Sequence, residues 1–159
     1  MGGRLFALPH SGERKPRLIL ESTPLLDQAQ VSPDGRFVTY GSNASGRWEV
    51  YVAALASPNR RRQISSEGGG QAHWRRDGKE IFYLTADGAV MSVDVSLEGD
   101  GDFAAPKRLF QSVLSRPTMN TDEYDVTSDG KRFIFVQPGA DSSDTSAVTV
   151  VVNWKATSK

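Results

Sequence analysis

"SPDGRFVTYGS", Ser32 to Ser42, reads as a tight turn that runs straight into a strand. Pro33 presets the backbone for the first corner of a type I turn, and Asp34 tolerates the second corner while its carboxylate can bind nearby main chain. Gly35 supplies the left-handed residue that lets two twisted strands meet as a hairpin. The strand after it, "FVTY", is apolar on both faces, which suits a sheet covered on both sides. The same shape returns in "RRDGKEIFYLT", Arg75 to Thr85, and in "TSDGKRFIFVQ", Thr127 to Gln137. The second and third copies replace proline by Arg76 and Ser128, but Asp77-Gly78 and Asp129-Gly130 keep the turn chemistry.

Working outward from the three turns reveals a longer unit. "QAQVS" and "QAHWR" precede the first two turns, both opening on Gln-Ala, and "EYDVT" precedes the third. After the first two strands come a second turn and another apolar strand, "NASGRWEVYVAAL" and "ADGAVMSVDV". A fourth short segment follows each, Arg60 to Ser65 and Pro106 to Gln111. Four short strands repeating at a period of roughly 45 residues are the mark of a propeller blade. No window carries a helical apolar stripe over three turns. The expected class is therefore all-β: a β-propeller of four-stranded antiparallel blades, forming a partial ring of about three blades.

The expected organisation is one propeller segment over 1–159. Residues 1–22 supply two strands of a partial blade, with Arg4 to Leu8 and Arg17 to Leu20 as the strands. Residues 23–66 and 67–112 form complete blades, and 113–159 a final three-stranded one. This strand count suggests a homo-oligomer in which two copies complete one ring, or a piece of a larger ring.

The quoted stretches resemble the repeat of TolB-like, WD-like β-propellers, in which Ser-Pro-Asp-Gly precedes an apolar strand and a Gly-x-x-acid-aliphatic-Tyr-Val strand follows. Here those positions are Ser32 to Gly35, then Gly46, Glu49, Val50, Tyr51 and Val52. "GERKPRLIL", the stretch from Gly68 to Val95 and "VTVVVNW" further resemble the C-terminal propeller of bacterial proteins associated with serine/threonine kinases. That resemblance implies a bacterial module attached to a larger protein. The sequence departs from the kinase pattern itself: it has no Gly-rich nucleotide loop, no His-Arg-Asp loop and no Asp-Phe-Gly.

Composition bounds the function. Of 159 residues 38% are hydrophobic and 24% charged, a globular balance. Lys plus Arg and Asp plus Glu each number 19, so no net field draws in nucleic acid or an anionic membrane. Without cysteine there is no disulfide, thiolate metal site or cysteine nucleophile. The opening "MGGRLFALPHSGERK" lacks the apolar core of a signal peptide, and no stretch approaches the roughly 20 apolar residues of a membrane span. As written the chain reads as soluble and cytoplasmic, or extracytoplasmic if it belongs to a longer protein.

No catalytic or metal site is expected, and no cofactor. His10 sits in the first hairpin turn and His73 beside Trp74, and neither has converging ligands in the sequence. "LEGDGD", Leu97 to Asp102, lacks the register of a calcium loop and reads as a solvated turn. "NRRR", Asn59 to Arg62, is placed before an outermost strand, where charge guards an edge. There is no Gly-x-Ser-x-Gly elbow. A non-catalytic module that binds a protein or peptide is the leading expectation, and an accessory domain of a kinase or peptidase the alternative. The best ligand-contacting residues are at the crossover between units, where a propeller's channel would open: Gly68, Gly69 and Gly70, which allow close backbone approach, then Gln71 with its counterpart Gln28, and His73. Trp48, Trp74 and Trp154 are expected in packing, with Trp48 partly exposed.

Overall fold

The computed structural model describes residues 2–114, 117–118, 121–136 and, for the main chain, 149–151. It is all-β, with no helix among the described residues. Expectations for Trp154 and for the loop after Pro138 fall outside these residues.

Four sheets follow one another along the chain. β1 (Gly3–Ala7) pairs antiparallel with β2 (Arg17–Ser22). β3 (Leu26–Val31), β4 (Phe37–Ser42), β5 (Glu49–Ala54) and β6 (Ser57–Gln63) form a four-stranded antiparallel meander in that order. β7 (Gly70–Trp74), β8 (Glu80–Leu84) and β9 (Ala89–Ser96) form the next sheet, in which β9 pairs with both β10 (Asp102–Phe103) and β11 (Lys107–Gln111). β12 (Tyr124–Val126), β13 (Phe133–Phe135) and β14 (Thr149–Val151) make the last.

Hydrophobic alternation explains why the sheets stack. In β4, Val38 and Tyr40 join Leu20 and Leu5 of the preceding hairpin, while Phe37 joins Ile81, Tyr83, Val93 and Phe103 of the following sheet. In β8, Ile81 and Tyr83 face backwards, and Phe82 and Leu84 face forwards onto Tyr124, Phe133 and Phe135. Period-two side chains thus feed two cores from one strand, so both faces must be apolar. The forward core is aromatic: Phe133 meets Phe82 and Phe110 edge-on, with ring centroids 5.2 Å apart in each pair, a favoured geometry. The first strand of the third sheet, β7, makes close approaches between sheets, to β3, β4 and β5 on one side and to β12 on the other.

The three aligned turns are the same object. The Gly35, Gly78 and Gly130 amides donate to the carbonyls of Ser32, Arg75 and Thr127 at 2.8, 2.9 and 2.7 Å, and each glycine has φ near +72°. Each aspartate Oδ1 accepts from the side chain two residues before it and from the main chain two residues after it. For Asp34 the donors are Ser32 Oγ at 2.6 Å and the Arg36 amide at 3.1 Å. For Asp129 they are Thr127 Oγ1 at 2.5 Å and the Lys131 amide at 3.0 Å. Asp87, in the later turn of the third sheet, uses Thr85 in the same way. Partial desolvation raises the Asp34 carboxyl, but the hydrogen bonds from Ser32 and Arg36 outweigh it and bring it down to about 2. Asp77, Asp87 and Asp129 are lowered chiefly by the side chains of Arg75, Thr85 and Thr127.

Three expectations need correction. β6 starts at Ser57, ahead of the expected Arg60, so "NRRR" lies wholly inside the strand rather than before it, and an irregular register opposite Ala53 and Ala54 absorbs Pro58, Asn59 and Arg60. "LEGDGD" is not wholly turn: Asp102 opens β10 and pairs with Ser96, since Gly101 at φ +80° aims the chain back against the Phe37 ring. The third apolar strand is not covered on both faces among the described residues. Ile134 is 41% exposed and Val136 64%, while Phe133 and Phe135 are buried.

The turn glycines are unequal in what surrounds them. A Cβ on Gly35 would meet open space, so Gly35→Ala should lose only the left-handed strain, about 1 kcal/mol. A Cβ on Gly88, also left-handed, would lie 1.8 Å from the Leu114 carbonyl oxygen, so Gly88→Ala should lose about 3 kcal/mol. Urea unfolding of the two variants checks the contrast, and equal losses would contradict it.

Candidate functional site

The first strands of successive sheets carry matching residues at matching depths. Gln28, Gln71 and Glu123 occupy one equivalent position, and Gln30, His73 and Asp125 the next on the same side of the strand. Gln28 and Gln71 are the only non-glycine residues with left-handed backbone among those described, at φ +51° and +55°. Both sit where β3 and β7 lose regular register against their partners. A bulge of this kind turns a main-chain N–H away from its own sheet, and such a group needs a partner when buried.

Each glutamine supplies that partner to the next sheet. Gln28 Oε1 accepts the Gln71 amide at 2.8 Å, and Gln71 Oε1 accepts the Glu123 amide at 2.7 Å. Gln71 Nε2 then donates to the Thr118 carbonyl at 2.7 Å and to Glu123 Oε2 at 3.1 Å. Gln28 Nε2 reaches Asp122 Oδ1 at 3.2 Å. Gln71 is buried and Gln28 half-buried. Their amides are thus engaged in holding sheets together.

The three expected glycines are also held by packing. Gly68, Gly69 and Gly70 are buried. The Gly68 amide donates to both carboxylate oxygens of Glu49 at 3.1 Å, and the Gly69 amide to the Trp48 carbonyl at 2.9 Å. A Cβ on Gly69 would come within 2.7 Å of the Tyr83 ring, so that glycine is required by contact with an aromatic side chain. Glu49 is fully buried and also bonded by Ser65 Oγ and by Arg47 Nε, the latter at 2.6 Å. A buried carboxylate with this many donors is a structural clasp between β5 and the crossover. Nothing in "GRWEV" signals that its acid points inward.

The second row borders open space. Gln30, His73 and Asp125, with Trp74, Ile134 and Val136, line a cavity of about 530 Å³. Gln30 Nε2 lies 3.2 Å from His73 Nδ1, and Asp125 Oδ1 lies 3.7 Å from the same nitrogen. With the amide donating, Nδ1 is the acceptor of a neutral ring. The His73 ring stands edge-on to Tyr124, with centroids 4.7 Å apart. Burial lowers the His73 pKa, and the opposing pull of Asp125, Asp122 and the Tyr124 main chain is smaller. The site therefore offers an amide, a neutral imidazole, an exposed carboxylate and apolar walls. It can hold hydrogen-bonding and apolar groups of a ligand. No group of three metal-ligating side chains exists among the described residues. His10 lies exposed in the β1–β2 turn, away from this row. No helix of the described residues is long and apolar enough to cross a membrane.

No family model matches the sequence, and no curated protein sequence matches it. Solved structures do. Oligogalacturonate lyase from Vibrio parahaemolyticus aligns over 85% of this chain and 36% of its own, at 13% identity and a TM-score of 0.54. A functionally unknown protein from Desulfotomaculum acetoxidans aligns over 84% of this chain and 43% of its own, at 15% identity and a TM-score of 0.53. TolB from Acinetobacter baumannii aligns over 94% of this chain and 49% of its own, at 18% identity and a TM-score of 0.44. The lyase is a β-propeller protein. At such identities the likeness speaks to fold alone: this chain has a propeller-like, all-β fold, and it spans less than half of the length of these structures.

Gln71→Ala should destabilise the fold by about 2 kcal/mol, because it strips the Glu123 amide and the Thr118 carbonyl of partners at a buried site. Gln28→Ala should lose less, since Gln28 is half-buried. Chemical denaturation of both variants checks the order. His73 adds a pH dependence. Its folded pKa lies below the unfolded value of about 6.5, so its contribution is complete above that pH. It is lost as pH falls from there toward the folded pKa. Unfolding midpoints should drop between about pH 7 and pH 5. His73→Gln should flatten that drop, and an unchanged slope in the variant would refute the assignment.

Proposed function

We propose that the chain is a partial ring of a β-propeller, built from four-stranded blades, that works as a non-catalytic module for binding a protein or peptide. The row of Gln30, His73 and Asp125 carries this reading. Three consecutive first strands present polar groups side by side on one open cavity, and the exposed Ile134 and Val136 give it an apolar flank. A peptide offers main-chain donors and acceptors for the row and side chains for the flank. The aspartates of the Asp-Gly turns are occupied by their own turn residues, which leaves the first-strand side as the better place for recognition. The neighbour's action on oligogalacturonate is not carried over, because the match is to its fold.

Selection of a displayed peptide library on the purified chain tests the reading. It should enrich a sequence family whose binding weakens about tenfold in Ile134→Asp or Asp125→Lys. No enrichment, or enrichment indifferent to both substitutions, would count against it. So would turnover of peptide, glycoside or phosphoester substrates by the pure chain.

A further inference from the structure

A second cavity, of about 630 Å³, is lined by no residue of the first strands β3, β7 and β12. There the second and third sheets diverge, between β6 and the loop from Gly99 into β10. We propose that it is a binding site for an acidic peptide segment, independent of the cavity at the first strands.

The arginines of this cavity differ in how far they are already satisfied. Arg36 is bound to Asp34 at 2.8 Å and to the carbonyls of Gly99 and Leu97. Arg62 lies 3.6 Å from Asp102. Arg17 reaches only the Leu55 carbonyl, at 3.5 Å. Arg60 has no ion pair or hydrogen bond with any described residue, and both Arg17 and Arg60 are exposed. Arg61, between Arg60 and Arg62, turns to the other face over the Tyr51 ring. The unmatched charge is therefore concentrated at Arg17 and Arg60, on β2 and β6, strands that lie beside each other. Guanidinium groups with free donors select planar carboxylates.

The floor decides between carboxylate carriers. Phe37 and Phe103 are nearly buried, and their rings are capped by Arg36 at 5.3 Å and Arg62 at 6.0 Å. No bare aromatic face remains for a sugar ring to stack on, so the ligand meets a layer of guanidinium groups. Asp100, exposed on the lip, has no partner among the described residues. A carboxylate there repels a dense polyanion but accepts the main-chain N–H of a peptide. The balanced charge of the whole chain adds no field that would hold nucleic acid.

Fluorescence anisotropy with a fluorescein-labelled peptide alternating Glu and Leu, in low-salt buffer, tests the site. Binding should be lost when Gln replaces Glu in the peptide, and should weaken about tenfold in Arg60→Glu and again in Arg17→Glu. Ile134→Asp, at the other cavity, should leave it unchanged. Thermal melts confirm that each variant is folded. Equal binding of the Gln peptide, or wild-type binding by both arginine variants, would overturn the site. Tighter binding of heparin than of the peptide, lost in Arg60→Glu, would overturn the choice of peptide. Because Ile134→Asp reports on the first-strand cavity alone, either site can fail without the other.

Discussion

The main-chain N–H groups of Gln71 and Glu123 are paired by side chains of the preceding sheet, and the stack of sheets depends on that pairing. The bulges at Gln28 and Gln71 force a left-handed backbone on residues with a Cβ, a conformation that costs about 1 kcal/mol per residue. The gain lies in where the side chain then goes. Gln28 bonds the Gln71 amide, and Gln71 bonds the Glu123 amide. The side chain of one repeat thus completes the backbone of the next. Apolar contact alone tolerates sliding, because hydrophobic attraction has no direction. The amide ties have direction, so they set the phase of one sheet against its neighbour. With that phase fixed, Gln30, His73 and Asp125 arrive at one level.

The Asp-Gly turns do the corresponding work within a sheet. A carboxylate that accepts both a side chain two residues before it and an amide two residues after it locks the hairpin without help from elsewhere. This is why Pro33 can become Arg76 or Ser128 with no change in turn geometry. Ser32 and Thr127 donate a hydroxyl and Arg75 a guanidinium, and each donates to the aspartate that follows.

Local chemistry was therefore easy to read from the sequence, and relations between repeats were not. The hairpins and the all-β class follow from turn residues and apolar strands, whose rules operate over a few positions. The equivalence of Gln28 and Gln71 was visible too, since both open the pair Gln-Ala. Their role was hidden, because sequence does not say whether an amide faces a channel or the adjoining backbone. "FIFV" looks like "IFYL", so nothing marked Ile134 as exposed: exposure depends on whether another sheet lies beyond it. Glu49 was unreadable for the opposite reason. Its burial rests on Ser65 and Gly68, which reach it only after β6 and the crossover have folded back.

A chain with no net charge can still segregate charge along its sheets, and the two cavities show how. Gln30, His73 and Asp125 border the first-strand side, with Asp122 and Asp125 as its charged groups. Arg17, Arg36, Arg60 and Arg62 border the other side, against Asp100. The first strands are drawn together by glutamine amides and by apolar packing, which leaves little room for cationic side chains. The last strand, β6, lies where the sheets diverge, and long arginine stems can cover apolar surface there while their heads stay in water. Phe37 and Phe103 under Arg36 and Arg62 are the result. The splay of the sheets thus sorts side chains by length as well as by polarity. A composition that balances to zero conceals an acidic margin and a basic one, because the arrangement of the sheets decides where each charge can be accommodated.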